Sequence, residues 1–378
     1  MEMFKYPIYV TQPLTPNILE VTKEIEQVLE SKWLTNFGNK HELLVEELKN
    51  YLEVGHLSLF NNGTSALTLG LKALELTGEV ITTPFTFPAT VQALDWNNLT
   101  PVFCDVEKNS LNINPDKIEE KITGKTSAIL AVHVFGNPCN VEKIQQIADK
   151  YNLKVIYDGA HAFGAQYKGE SLANFGDMTM FSFHATKLFN TIEGGALVYP
   201  DNRLAEKLRV LTNFGLSSPE KVEVSGFNGK MNEIQAVIGL GNLRVLEEER
   251  KNRERIRQTY VGEFTKIPGI RIITNRKKRE SSYQYFVIEI DEDEFGISRD
   301  KLHYGLKSYN IFTRRYFYPL CSEFHWYRDL DSAKRKNLPI AWEKVNQVLT
   351  LPFYGGLEDE KIKIVCDAIK EIQFKNAL

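Results

Sequence analysis

The chain has 378 residues, 43% hydrophobic and 25% charged, an ordinary globular composition with length enough for two domains. A formal net charge of −3 excludes nucleic acid or an anionic membrane as the main electrostatic partner, and four scattered cysteines without a Cys-x-x-Cys pair exclude a disulfide framework or zinc site. No run approaches the ~20 apolar residues of a membrane span, and the opening residues lack the apolar segment of a signal peptide, so a cytoplasmic protein without a metal is expected.

Apolar spacing predicts a first helix over 16–31, with Ile18, Val21, Ile25 and Val28 on one face, Thr15 as N-cap and Pro16 at the first helical position. A turn at Trp33-Leu34-Thr35-Asn36-Phe37-Gly38 leads into a second helix that runs through Glu46 to Tyr51. Short β-rich runs follow at 57–60, 79–83, 101–105, 127–133, 154–157, 178–183 and 195–198, with helical patterns at 65–76, 141–150 and 204–213 between several of them. That alternation predicts an α/β domain with a mostly parallel central sheet covered by helices on both faces. Ligands in such sheets sit beyond the carboxyl ends of the strands. Gly63, Asp158 and Lys187 each fall just after a β-like run, so they are expected to meet in one crevice.

A long, charged helical pattern over 232–264, including Glu247-Glu248-Glu249-Arg250-Lys251, reads as a solvated helix crossing between domains. The division expected is a large domain over 1–250 and a smaller C-terminal α+β domain over 251–378. The latter has strand-like runs at 270–274 and 283–290 and helices near 298–309 and 357–376. The cluster Arg276-Lys277-Lys278-Arg279 reads as a polar loop between strands.

Four local constellations carry chemistry. Asn62-Gly63-Thr64-Ser65-Ala66 takes a strand into a helix; free N–H groups there bind phosphate, although Thr and Ser also serve as ordinary N-caps. Phe87, in Thr83-Pro84-Phe85-Thr86-Phe87-Pro88, is either a ring that stacks on a flat ligand or a core phenylalanine. Asp158 ends the apolar run Val155-Ile156-Tyr157, where a buried carboxylate needs a positive partner; His161, three residues on, is either a ligand contact or a structural histidine. Lys187 follows Ser182-Phe183-His184-Ala185-Thr186 among apolar neighbours. Burial lowers a lysine pKa and favours the nucleophilic amine, and Ser182 can donate to a phosphate. A lysine that forms a Schiff base and a strand-end aspartate that pairs with a pyridine nitrogen are what a pyridoxal 5′-phosphate enzyme requires.

With these motifs, and with Gly226-Phe227-Asn228-Gly229-Lys230-Met231-Asn232-Glu233, the chain resembles the DegT-type (DegT/DnrJ) sugar aminotransferases over nearly its whole length. The resemblance implies a fold type I architecture and pyridoxal 5′-phosphate as cofactor. It implies that Gly63, Thr64, Ser65 and Ser182 hold the phosphate and that Phe87 stacks on the ring. It further implies that Asp158 meets the pyridine nitrogen, that His161 (often glutamine in the family) meets the ring oxygen, and that Lys187 forms the imine. Asn228 would reach the phosphate of the neighbouring subunit, giving a homodimer with shared active sites. Some members replace the lysine with histidine and act as sugar dehydratases; Lys187 is present here. The implied substrates are L-glutamate and a nucleotide-linked keto sugar. Arg314-Arg315-Tyr316-Phe317-Tyr318-Pro319-Leu320 and Val10-Thr11-Gln12-Pro13 most resemble aminotransferases acting at carbon 4 of a dTDP-linked 4-keto-6-deoxyhexose, whose products feed surface polysaccharide such as lipopolysaccharide O-antigen. Arg315, Tyr316 and Tyr318 are then candidate substrate contacts, with a structural strand as the other reading of that run. A 3-keto sugar or a UDP- or GDP-linked one is the alternative within the class. A nicotinamide oxidoreductase would need a Gly-x-Gly-x-x-Gly turn after a first strand, which is missing, while a non-catalytic sugar-nucleotide binder would have no need of Lys187 and Asp158.

Overall fold

A computed structural model describes residues 4–273 and 281–376. Helix α1 (Ile18–Ser31) starts two residues later than its spacing predicts. Its cap is Asn17, not Thr15, because the Asn17 carboxamide accepts from the N–H groups of both Leu19 and Glu20. Ile18 is 77% exposed and does not join the buried face of Val21 and Val28. Helix α2 (Asn39–Leu52) follows and packs Leu44, Leu48 and Leu52 inward.

Seven strands form the main sheet: β1 (His56–Phe60), β2 (Glu79–Thr82), β3 (Thr100–Phe103), β4 (Thr126–Val132), β5 (Lys154–Asp158), β6 (Met178–Ser182) and β7 (Gly195–Tyr199). Their order across the sheet is β1-β7-β6-β5-β4-β2-β3. All neighbouring pairs are parallel except those made by β7, which runs against both β1 and β6. The strands are apolar on both faces because both are covered. Val155 and Tyr157 of β5 point into one core with α2, α5 (Val141–Tyr151) and the first part of α7 (Glu233–Phe264). Ile156, on the opposite face, joins the core made with α3 (Gly63–Ala73), α4 (Pro88–Asp95) and α6 (Asn202–Thr212). Helix α4 was not legible in the sequence; Pro88 occupies its first turn, where the missing N–H costs nothing.

Helix α7 is 32 residues long, starts with a capping box between Asn232 and Gln235, and buries residues from Glu233 to Phe264, so residue 250 lies inside it. Beyond it, β8 (Ile270–Ile273), β9 (Phe286–Ile290) and β10 (Val348–Leu351) form a separate antiparallel sheet. Helices α8 (Arg299–Lys307) and α9 (Asp359–Asn376) cover it around Phe286, Ile288, Leu302 and Val365. Ile8 is buried in this second core and bridges Ile311, so the start of the chain packs with its end. A further apolar cluster, including Phe85, Phe135, Val287 and Phe317, lies between the two sheets. The Arg276–Lys277–Lys278–Arg279 cluster lies outside the described residues, as does Thr274 of the predicted 270–274 strand. Among the described residues no three His, Cys, Asp or Glu side chains gather to hold a metal, and no helix is long and apolar enough to cross a membrane.

Candidate active site

The carboxyl ends of β4, β5 and β6 open into a cavity of about 950 Å³. Gly63, Thr64, Ser65, Phe87, Asp158, His161, Ser182, Lys187 and Tyr316 all line it. Strand register explains the grouping at one wall. Gly195 pairs with Phe60 of β1 on one side and with Ser182 of β6 on the other, so Ser182 stands beside the turn that starts α3. The approach is close: a Cβ at Gly195 would lie 2.7 Å from main-chain atoms of Asn62 and Gly63, and one at Gly63 would lie 3.0 Å from Ser182 Cβ. Asn62 is the N-cap, its Oδ1 accepting from Ser65 N at 2.7 Å. Thr64 and Ser65 therefore lie inside the first turn, and the capping role belongs to Asn62 rather than to them.

Asp158 ends β5, 5% exposed, with Oδ2 accepting from Thr90 Oγ1 at 2.7 Å and Oδ1 from Ala160 N at 3.0 Å. Burial raises its pKa; those two hydrogen bonds and the charge of Lys187 oppose the rise. Thr90 also hydrogen-bonds Thr86 at 2.7 Å, a link with no role assigned from sequence, although Thr86 and Thr90 are spaced i, i+4 beside Phe87. Burial pushes the Lys187 ammonium down to about 8, with the Asp158 carboxylate pulling it the other way. His161 is buried against Phe135 and Phe317, which also touch each other; its ring is nearly parallel to both, with Tyr285 edge-on at 5.0 Å. Burial holds its pKa well below the usual range, so it is neutral, and its Nδ1 has no hydrogen-bond partner among the described residues. Phe87 is 57% exposed at the mouth of the cavity, which rules out the core reading.

Three residues expected at the site do not line this cavity. Arg314, which bridges Thr350, and Tyr316 and Phe317, in the turn that follows it, enter the wall, while Arg315 turns away. Arg315 donates to Asp300 at 3.1 Å, and its guanidinium lies 4.9 Å from the ring centroid of Tyr318, which is outside the lining as well. Of the two arginines in that run the one in the lining is Arg314, and nothing local in the sequence separates it from its neighbour. Asn228 is exposed and its carbonyl accepts from Asn61 Nδ2 at 3.2 Å, while the adjacent Gly226 and Phe227 reach the cavity. His184 lines it too, with Nδ1 2.9 Å from Thr186 Oγ1 and Nε2 3.5 Å from Glu193.

The model of the DegT/DnrJ/EryC1/StrS aminotransferase family matches residues 18–370. The chain belongs to that family. This aminotransferase is 46% identical over 356 residues to an Escherichia coli protein named dTDP-4-amino-4,6-dideoxy-D-glucose transaminase, covering 93% of this chain and 95% of that one. A Shigella dysenteriae protein of the same name is 42% identical over 367 residues, covering 97% and 99%. The solved structure of DesI in the presence of its TDP-sugar product superposes with a TM-score of 0.94 at 34% identity, covering 100% of this chain and 96% of that chain. The fold is accordingly that of fold type I aminotransferases, α/β with a mostly parallel central sheet and a smaller α+β domain. That family implies pyridoxal 5′-phosphate, and the DegT-type cavity has the donor set for it. It combines a buried carboxylate, a lysine with a lowered pKa, a buried imidazole with one nitrogen unmatched, and a helix N-terminus flanked by hydroxyls.

Proposed function

We propose that the protein transfers the amino group of L-glutamate to dTDP-4-keto-6-deoxyglucose, giving dTDP-4-amino-4,6-dideoxyglucose for surface polysaccharide. The observation that carries the reading is the meeting of Lys187 and Asp158 in one cavity, in a chain 46% identical to a transaminase named for that amino sugar. Bound there, pyridoxal 5′-phosphate supplies an aldehyde and a protonated ring that draws electrons from the substrate carbon. Lys187 Nζ would act as nucleophile and then, once freed, carry a proton between the substrate carbon and the cofactor carbon, as base and then as acid. The Asp158 carboxylate, braced by Thr90 and Ala160 N–H, keeps the ring nitrogen protonated opposite it. The first turn of α3, with Gly63, Thr64 and Ser65, binds the phosphate together with Ser182. Phe87 covers a ring face and His161 addresses the ring oxygen.

In this reading Arg314 and Tyr316 meet the sugar nucleotide. Asn228 reaches the neighbouring subunit's cofactor in a cytoplasmic homodimer, and residues 1–250 form the cofactor-binding domain. Amination at carbon 3, or of a GDP-linked sugar, has weaker support. The relatives named for those activities include a dTDP-3-amino-3,6-dideoxy-alpha-D-galactopyranose transaminase of Aneurinibacillus thermoaerophilus at 33% and a GDP-perosamine synthase of Escherichia coli O157:H7 at 30% identity. Product analysis with L-glutamate and a panel of dTDP-, UDP- and GDP-linked keto sugars tests the proposal. Amination of the dTDP-4-keto sugar at carbon 4 is expected; no amination of any panel member sinks the reading, and preference for another sugar replaces the substrate.

A further inference from the structure

The segment between β6 and β7 that carries Lys187 is neither helix nor strand, so no ladder of main-chain hydrogen bonds holds it. Locally it has turn bonds from Lys187 N to His184 O at 2.8 Å and from Thr191 N to Phe183 O at 2.9 Å. The two groups flanking the lysine are taken by one side chain from far away. Gln284 Oε1 accepts from Leu188 N at 2.6 Å, and Gln284 Nε2 donates to Thr186 O at 3.0 Å. The amide can adopt only this orientation, because an N–H must be met by oxygen and a carbonyl by nitrogen. Gln284 is 2% exposed and lies just before β9, the central strand of the small-domain sheet.

Gln284 is itself fixed. Arg253 of α7, paired with Glu249 at 2.6 Å, donates to the carbonyls of Tyr283 and Gln284 at 3.1 and 3.3 Å. Ser282 Oγ donates to His161 O at 2.5 Å and accepts from Gln284 N at 3.2 Å. The next residue, Tyr285, lines the cavity and meets the His161 and Tyr316 rings. One four-residue strap therefore touches the backbone at His161, the backbone on both sides of Lys187, and the cavity wall.

We infer that Gln284 is a positioning residue for Lys187: by gripping the peptide on either side, it sets where Nζ enters the cavity and ties that position to the small domain. A lysine side chain has several free torsions, so a fixed main chain is what confines its amine to reacting distance. The inference rests on the reading of Lys187 as the imine-forming residue. It predicts that Gln284→Met, of similar volume and without either polar group, lowers kcat about 10–100-fold with KM for the sugar nucleotide little changed. It also predicts a shift of the pH midpoint of the bound cofactor's visible band by about one pH unit. Gln284→Glu keeps an acceptor for Leu188 N–H and recovers part of both; it carries the test alone if the methionine variant does not fold. Wild type with no visible band and no borohydride trapping on Lys187 overturns the functional reading and this inference together. A wild type that shows both, with variants matching it in kcat and band midpoint, overturns this inference alone. So does a loss of activity that follows only the fraction of folded, loaded protein.

Discussion

Replacing Asp158 by asparagine is expected to make Lys187 more reactive toward pyridoxal 5′-phosphate while making the enzyme slower. Burial takes the ammonium from its ordinary 10.5 to about 8, against an upward pull from the Asp158 charge. At pH 7 an amine with a pKa of about 8 is roughly one-tenth neutral, whereas at 10.5 it would be about 0.03% neutral, a ratio of about 300 in attacking species. That ratio corresponds to about 3.4 kcal/mol of disfavoured charge. Without the carboxylate the upward pull is gone, so the midpoint falls below 8. Turnover moves the other way: removing one partner of a buried charge pair costs about 3–5 kcal/mol, or about 160- to 5000-fold in kcat if the loss falls on the transition state. The assay is the stopped-flow rate at which cofactor-free protein develops its visible band between pH 6 and 10. Division by the rate with Nα-acetyl-lysine, itself expressed per neutral ε-amine at each pH, removes the titration of the aldehyde itself and leaves that of Lys187. Wild type should level off above about pH 8, and D158N at lower pH. A normalised wild-type rate still climbing tenfold per pH unit at pH 9.5, or a D158N midpoint above wild type, refutes the reasoning.

Burial holds His133 at about 3 against an ordinary 6.5, with Nδ1 accepting from Cys139 N at 3.1 Å. The unfolded chain binds the extra proton between those values, so this contribution is complete above pH 6.5 and is lost as pH falls toward 3. Urea unfolding at pH 7 and pH 5 should show wild type losing about 2 kcal/mol more than H133N, which keeps an acceptor but does not titrate. A Cβ at position 195 meets main chain rather than a flexible side-chain end, so G195A should cost about 1–3 kcal/mol of stability and weaken cofactor binding. G124A, with nothing within 4 Å, serves as the control in thermal melts and cofactor titrations. R314A should raise KM for the sugar nucleotide about tenfold or more, a loss of about 1.4 kcal/mol, while R315A, which breaks a partly exposed pair with Asp300, should change it less than about threefold. The reverse order would return the substrate contact to Arg315.

What could be read from the sequence was whatever a strand end places nearby. Asp158, Ser182 and the Asn62–Ser65 turn each sit at or just beyond the carboxyl end of a strand, and the strands themselves were visible because both their faces are apolar. Local choices between equivalent signals were not readable. Pro16 pulled the α1 cap toward Thr15 by the first-turn rule for proline, yet Asn17 makes two hydrogen bonds to the helix start. Arg314 and Arg315 are identical neighbours, and only the folded chain separates the one in the cavity wall from the one paired with Asp300. Strand β10 (Val348–Leu351) was missed because four residues running straight into Pro352 carry little periodicity; it is defined by pairing with β9.

The deepest omission is of another kind. Gln284 stands 96 positions from Leu188 in a Ser-Tyr-Gln-Tyr run with no spacing or cap to mark it. Its bonds go to main chain, so nothing about the identity of Thr186 or Leu188 betrays them either. A motif read from sequence supplies the group that reacts, because that group must be lysine. The group that holds it still needs only an amide at the right distance, and distance is a property of the folded chain. If the strap from Ser282 to Tyr285 works as its contacts imply, the small domain acts on the reaction through peptide bonds beside Lys187 as well as through the side chains that line the cavity.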